Sequence, residues 1–166
     1  MYPVWGHGKR LLCTCREHPR QVVALAAMPD CQRFLSSAAM YPMGTLGWSS
    51  DIRVWRYDAP TRPGAPCSRH GGLMCTLVKS IPRMHRGTVW CLVALPDDVH
   101  AISGGEDGKI KLFDVSNGAV LRRFAQQHEC AMKSLALLPD GVRFVSGSKD
   151  GVVCVVEHGL APQAQP

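Results

Sequence analysis

HRGTVWCLVALPDDVHAISGGEDGKIKLFDV, from His85, and HECAMKSLALLPDGVRFVSGSKDGVVCVVEH, from His128, are one unit written twice. The two histidines stand 43 residues apart, a period that suits a unit of four strands. Landmarks recur in register. A serine follows the histidine by 18 residues in both copies (Ser103, Ser146) and an aspartate by 22 (Asp107, Asp150). Pro96-Asp97 and Pro139-Asp140 superpose as well. Composition bias does not place that many residues at fixed offsets, so this is a repeat protein.

A third, degenerate copy opens at His18 with HPRQVVALAAMPDCQRFLSSA, in which Pro29, Asp30 and Ser36 keep the same offsets. The segment MYPMGTLGW then interrupts it before SSDIRVW, where Ile52 and Val54 alternate up to Trp55. Residues 59–72 form a Pro/Gly loop, and LMCTLVKSI (73–81) reads as a strand closed by Pro82. Further strands are expected at 9–15, 88–95, 99–104, 108–114, 119–125, 131–138, 142–147 and 151–157, with no useful helical period anywhere. The fold class is therefore all-β.

The units resemble WD repeats, the blades of β-propellers. That family's pattern runs Gly-His, apolar strand, Pro-Asp-Gly, Ser-Gly, Asp-Gly and a strand ending in Trp-Asp. Met84 and Gln127 stand where its glycine precedes histidine, and Phe113 and Val156 where tryptophan is usual, while Asp114 keeps half of the Trp-Asp pair. The first copy keeps Trp55, but the position of the family's aspartate falls on Ser49, displacing Asp51 by two. The resemblance implies four-stranded antiparallel blades at about 18–81, 85–125 and 128–157, the strand 9–15 as the outer strand of a last blade, a WD-repeat segment over 1–158 and a flexible tail at 159–166. About three blades is fewer than the four to eight that usually close a ring. The expectation is an incomplete or open propeller, completed by further blades of a longer chain or by self-association.

His, Ser and Asp recurring together invite a catalytic-triad reading at His128, Ser146 and Asp150. A hydrolase needs one strained nucleophile beside an oxyanion hole, whereas here the trio repeats. The resemblance implies instead a structural hydrogen-bond network in each blade: His85, Ser103 and Asp107; His128, Ser146 and Asp150; His18, Ser36 and Trp55. Because Phe113 and Val156 cannot donate, those two networks are expected to stop at serine. No enzymatic activity and no cofactor are expected.

Cys13, Cys15 and His18 could approach one ion from a strand face, but tetrahedral zinc wants four ligands in recognisable pairs, and the other cysteines are scattered singly. No metal is expected. The stretch MYPVWGHGKRLLCTCREH lacks the apolar core of a secretory signal, so the eight cysteines are expected as reduced thiols in a cytosolic or nuclear setting. No run of 18 apolar residues suggests a membrane span.

What is left is surface recognition. The resemblance implies a partner-binding face carrying the His loops and Asp turns. Its exposed positions here are Thr88, Trp90 and Glu106 in the second blade, Ala131, Lys133 and Lys149 in the third, and Gln21 and Val23 in the first, whose third position is obscured by the displaced Asp51. Tyr41 and Trp48 in the apolar insertion are further candidates. The chain carries a net charge of +6 with 46% hydrophobic and 19% charged residues. Its basic residues are dispersed, with no block of like charge to act as a nucleic-acid arm. A protein-interaction scaffold is thus the leading expectation. A nucleic-acid-associated propeller using Lys109, Lys111, Lys133 and Lys149 is the alternative.

Overall fold

The computed structural model describes residues 14, 15, 17, 18, 20–39, 51–58, 74–124 and 128–160. Eleven strands, each pairing antiparallel with its neighbours, make three sheets, and none of these residues is helical. The first sheet runs β1 (Val22–Ala27), β2 (Arg33–Ala38), β3 (Ile52–Asp58), β4 (Met74–Ile81) in that spatial order. The second runs β5 (Val89–Ala94), β6 (His100–Gly105), β7 (Ile110–Asp114), β8 (Val120–Phe124). The third has three strands among the described residues: β9 (Met132–Leu137), β10 (Arg143–Ser148), β11 (Val153–Glu157). The insertion with Tyr41 and Trp48, the 59–72 loop, the tail from 161 and most of the expected 9–15 strand lie outside the described residues; Thr14 and Cys15 are described and belong to no strand.

Each first hairpin is closed by the Pro-Asp pair seen in the sequence, and the chemistry is the same three times. Asp30 Oδ1 accepts the amides of Gln32 and Arg33 at 2.9 Å each. Asp97 does so from Val99 and His100 at 3.0 and 2.9 Å, and Asp140 from Val142 and Arg143 at 2.9 and 3.0 Å. The second carboxylate oxygen takes the side chain of Arg33, of His100 (2.6 Å) or of Arg143 (2.6 Å). The amides of Arg143 and Val142, then the Arg143 guanidinium, hold the Asp140 carboxyl down at about 2. The residue after each aspartate turns into the left-handed region: Cys31 at φ 54°, Asp98 at 58°, Gly141 at 67°. Only the third copy places there the residue that adopts this conformation without steric cost.

The sheets stack side by side with β5 lying against both β1 and β9. One face of the middle sheet carries Leu92, Ala101 and Phe113 into a core shared with Leu35, Ile52, Val54 and Ile81 of the first sheet. Its other face carries Ile102, Ile110 and Leu112 against Met132 and Phe144 of the third. Covered on both sides, β6 is buried over five consecutive residues, Ala101–Gly105, as expected of a strand between two layers rather than one facing water.

The expectation of eight reduced thiols needs correcting. Cys75 on β4 is disulfide-bonded, whereas Cys15, Cys31, Cys91 and Cys130 are free thiols. Spacing along a chain does not say which thiols the fold will bring together. Burial pushes the Cys91 thiol up to about 12, so it stays protonated and packs as a small apolar side chain.

Candidate partner-binding rim

Two structural devices set the geometry of the rim: a polar strut inside each sheet and a bulge on each innermost strand. The strut differs from blade to blade. In the second, His85 Nδ1 lies 2.8 Å from Asp107 Oδ1 and Nε2 lies 2.9 Å from Ser103 Oγ. In the neutral ring Nδ1–H donates to the carboxylate and the serine hydroxyl donates to Nε2. The chain stops there, since Phe113 has nothing to donate. Gly105 makes room for it, because a Cβ at that position would sit 2.4 Å from the His85 ring.

In the first blade Trp55 Nε1 donates to Ser36 Oγ at 2.6 Å, and His18 Nε2 stands 2.5 Å from the same oxygen. The displaced Asp51 instead accepts from Ser80 at 3.1 Å, so this strut lacks its acid. In the third, His128 Nε2 meets Ser146 Oγ at 2.8 Å, but Asp150 takes the Ser148 hydroxyl and the Val152 amide. His128 Nδ1 is left buried with no hydrogen-bond partner among the described residues. The expected trio of His128, Ser146 and Asp150 is therefore corrected to a pair. A neighbouring serine two positions before Asp150 competes for its carboxylate, and blade two has Gly105 in that place.

The strut of the second blade responds to pH through its aspartate. Burial alone would raise the Asp107 carboxyl. The hydrogen bond from His85, attraction to that ring and the amides of Arg86 and Lys109 outweigh it and hold the group below its usual 3.8. A carboxyl that titrates lower folded than unfolded adds stability that is complete above about pH 5 and disappears as pH falls through the folded value. The stability gap between wild type and Asp107→Asn is thus expected to be widest near neutrality and to narrow as pH falls below about 5 and through the lowered folded value. Urea unfolding at stepped pH measures it, and a gap constant over that window would mean that the carboxylate is not held ionised by His85.

The bulges set what the rim displays. On β5, Val89 pairs with Gly105 and Cys91 with Gly104, which leaves Trp90 as the extra residue. On β1 the extra residue is Val23, between Val22–Ala38 and Ala24–Ser37; on β9 it is Lys133, between Met132–Ser148 and Ser134–Gly147. A bulge re-aims the side chain it leaves unpaired. The consequence is direct contact between blades: Lys133 Nζ lies 3.7 Å from the centre of the Trp90 ring. Such a cation–π pair is worth about 0.5–1 kcal/mol when exposed. Trp90 is half-buried, and its Nε1 is buried with no partner among the described residues.

Gln21, Glu106, Lys133 and Lys149 are exposed, and Val23 and Ala131 are partly so. Thr88 is only 1% exposed, so its side chain is not the contact position that it was expected to be. Its amide donates to Glu106 Oε2 at 3.1 Å, and its carbonyl accepts the Glu106 amide at 2.8 Å. The same backbone link joins Lys149 to Ala131 at 3.0 Å and Ala39 to Gln21 at 2.8 Å. Ala39 is therefore the third position of the first blade. It was missed by counting from a displaced aspartate, although counting 21 residues on from His18, as Glu106 follows His85, would have reached it.

A sequence model of the family described as WD domain, G-beta repeat matches residues 75–114 and 118–157, which together span half the chain from 75 to 157. No curated protein matches it. Each matched unit begins one strand early, on β4 or β8, so one repeat supplies the outermost strand of one sheet and the three inner strands of the next.

Proposed function

This chain belongs to the WD40 repeat family, and from that premise we propose that it is a protein-interaction scaffold whose partner is gripped at the bulged rim. Repeats of this family generally mediate protein–protein interaction and typically work without catalysis. The observation that carries the reading is the Trp90–Lys133 pair, formed by the extra residues of two adjacent blades. A large aromatic that keeps part of its surface open at a rim is a typical hot-spot anchor. Ser103 and Ser146 are completely buried, so neither offers a nucleophile within reach of a substrate.

The nucleic-acid alternative draws less support. Of its four lysines, Lys111 is turned inward to the Met84 carbonyl and Lys133 lies over Trp90, so two of the four are already engaged within the chain. Capture of proteins from a cell extract by immobilised wild type and Trp90→Ala, quantified by mass spectrometry, tests the proposal. Proteins bound by wild type are expected to fall at least about tenfold with Trp90→Ala. They are expected to persist with Arg143→Gln, in the turn at the other end of the strands. Capture that ignores Trp90, or that collapses between low and moderate salt and with nuclease, would overturn the scaffold reading.

A further inference from the structure

Superposing the repeats by number shows what each sheet face is built to cover. Ile102, Ile110 and Leu112, which the middle blade presses onto the third, correspond 43 residues later to Val145, Val153 and Val155. Ile110 and Leu112 are each 1% exposed, whereas Val153 is 70% and Val155 60% exposed. The first blade repeats this at the opposite face. Leu92, which the middle blade presses onto the first, is 7% exposed, and its counterpart Leu25, 67 residues earlier, is 65% exposed. Val89 and Val22 behave alike, fully buried in the one and 43% exposed in the other.

The other exposed aliphatics have local explanations. Val78 and Leu121 are the extra residues of bulges on the outer strands, and Val99 and Val152 lie in the segments between strands. Val145, Val153 and Val155 share a face, since β10 pairs with β11 at Val145–Val155 and Gly147–Val153. They lie on β10 and β11, opposite the face that holds Phe144 and Val156 against the middle blade.

Two internal junctions follow one rule: the Leu35/Ile52/Val54 type of face meets the Leu92/Ala101/Phe113 type, and the Ile102/Ile110/Leu112 face meets Phe144 and its neighbours. The exposed patches are one of each type, at opposite ends of the stack: Val153 and Val155 on the third blade, and Val22 and Leu25 on the first, where Trp55, the counterpart of Phe113, is already buried. We propose that they mate between molecules. The Val145/Val153/Val155 face of one copy packs on the Val22/Leu25 face of a second, and the same contact at the other end closes two copies into a six-bladed ring. Six lies within the four to eight blades typical of closed propellers. The contact is head to tail and continues the rule already used twice within the chain, and closure at two copies stops it from propagating into a filament. Valines at both ends would otherwise leave apolar patches facing water.

The test is the native mass of the full chain by sedimentation velocity across micromolar concentrations. The expected mass is twice 18.1 kDa. Val153→Asp/Val155→Asp, Val155→Lys and Leu25→Asp are each expected to weaken the pair at least about a hundredfold, since each buries an unpaired charge. Their far-UV circular dichroism is expected to match wild type, because these side chains are exposed in the single chain. Mixing Val155→Lys with Leu25→Asp restores one intact junction and is expected to return part of the doubled mass. A wild-type mass of 18.1 kDa throughout, open polymers, or a dimer that ignores these variants would overturn the proposal. Dissociation by Val155→Lys but not Leu25→Asp would also overturn it, as the sign of a face-to-face pair. None of these variants touches Trp90 or Lys133, so rim binding is scored separately.

Discussion

Phe113→Ala is expected to lower stability by about 3–5 kcal/mol, the usual cost of emptying a fully buried aromatic site. Phe113 has no exposed surface and stands in the core that joins the first two sheets, in register with Ala101 on one side and Val120 on the other. Its neighbours belong to two different sheets, each pinned by its own ladder, so the site has little means of collapsing into the void. The corresponding residue of the third blade, Val156, is smaller and only partly buried. Val156→Ala is expected to cost about 1 kcal/mol by the same reasoning. Urea unfolding followed by circular dichroism compares the two. Equal losses would mean that the faces between blades do not govern stability.

The second large effect is His85→Ala, expected at about 2–4 kcal/mol, from removing one group that satisfies two buried partners. Ser103 has no exposed surface and the Asp107 carboxylate little, so neither recovers full hydration when the ring is lost. His128→Ala offers the control. That ring reaches Ser146 alone and already leaves Nδ1 unsatisfied, so its loss is expected to cost about half as much. A double-mutant cycle of His85→Ala with Asp107→Asn isolates the coupling that blade three lacks. Similar costs for the two histidines would show that the third group adds nothing to the strut.

Much of this was open to reading from residues alone. Fixed offsets between His, Pro-Asp, Ser and Asp-Gly marked the repeat, and each landmark has a local physical reason that does not depend on distant packing. Asp30, Asp97 and Asp140 tie turns through amides two and three residues away, an interaction that sequence spacing specifies completely. The same spacing could not say that Asp150 would prefer Ser148 to His128. That is a competition between two acceptable donors, decided by how the folded loop places them. Nor did it show that Thr88 is buried, because the position faces outward by count but inward once Glu106 folds over its amide.

The rim divides along the same line. Sequence singled out Trp90 and Lys133 as positions, five residues after their histidines. The tertiary structure alone made them a pair, since they lie 43 residues apart and meet only where bulges on neighbouring sheets turn both outward.

By itself, then, the sequence determined the blade: its period, its antiparallel strands, its turns and the apolar alternation of its faces. All of these follow from interactions within a few residues or between adjacent strands. Which faces find a neighbour was decided by the stacking of sheets. A valine at 153 carries the same alternation as an isoleucine at 110, and only the presence of a sheet beside it makes one core and the other surface.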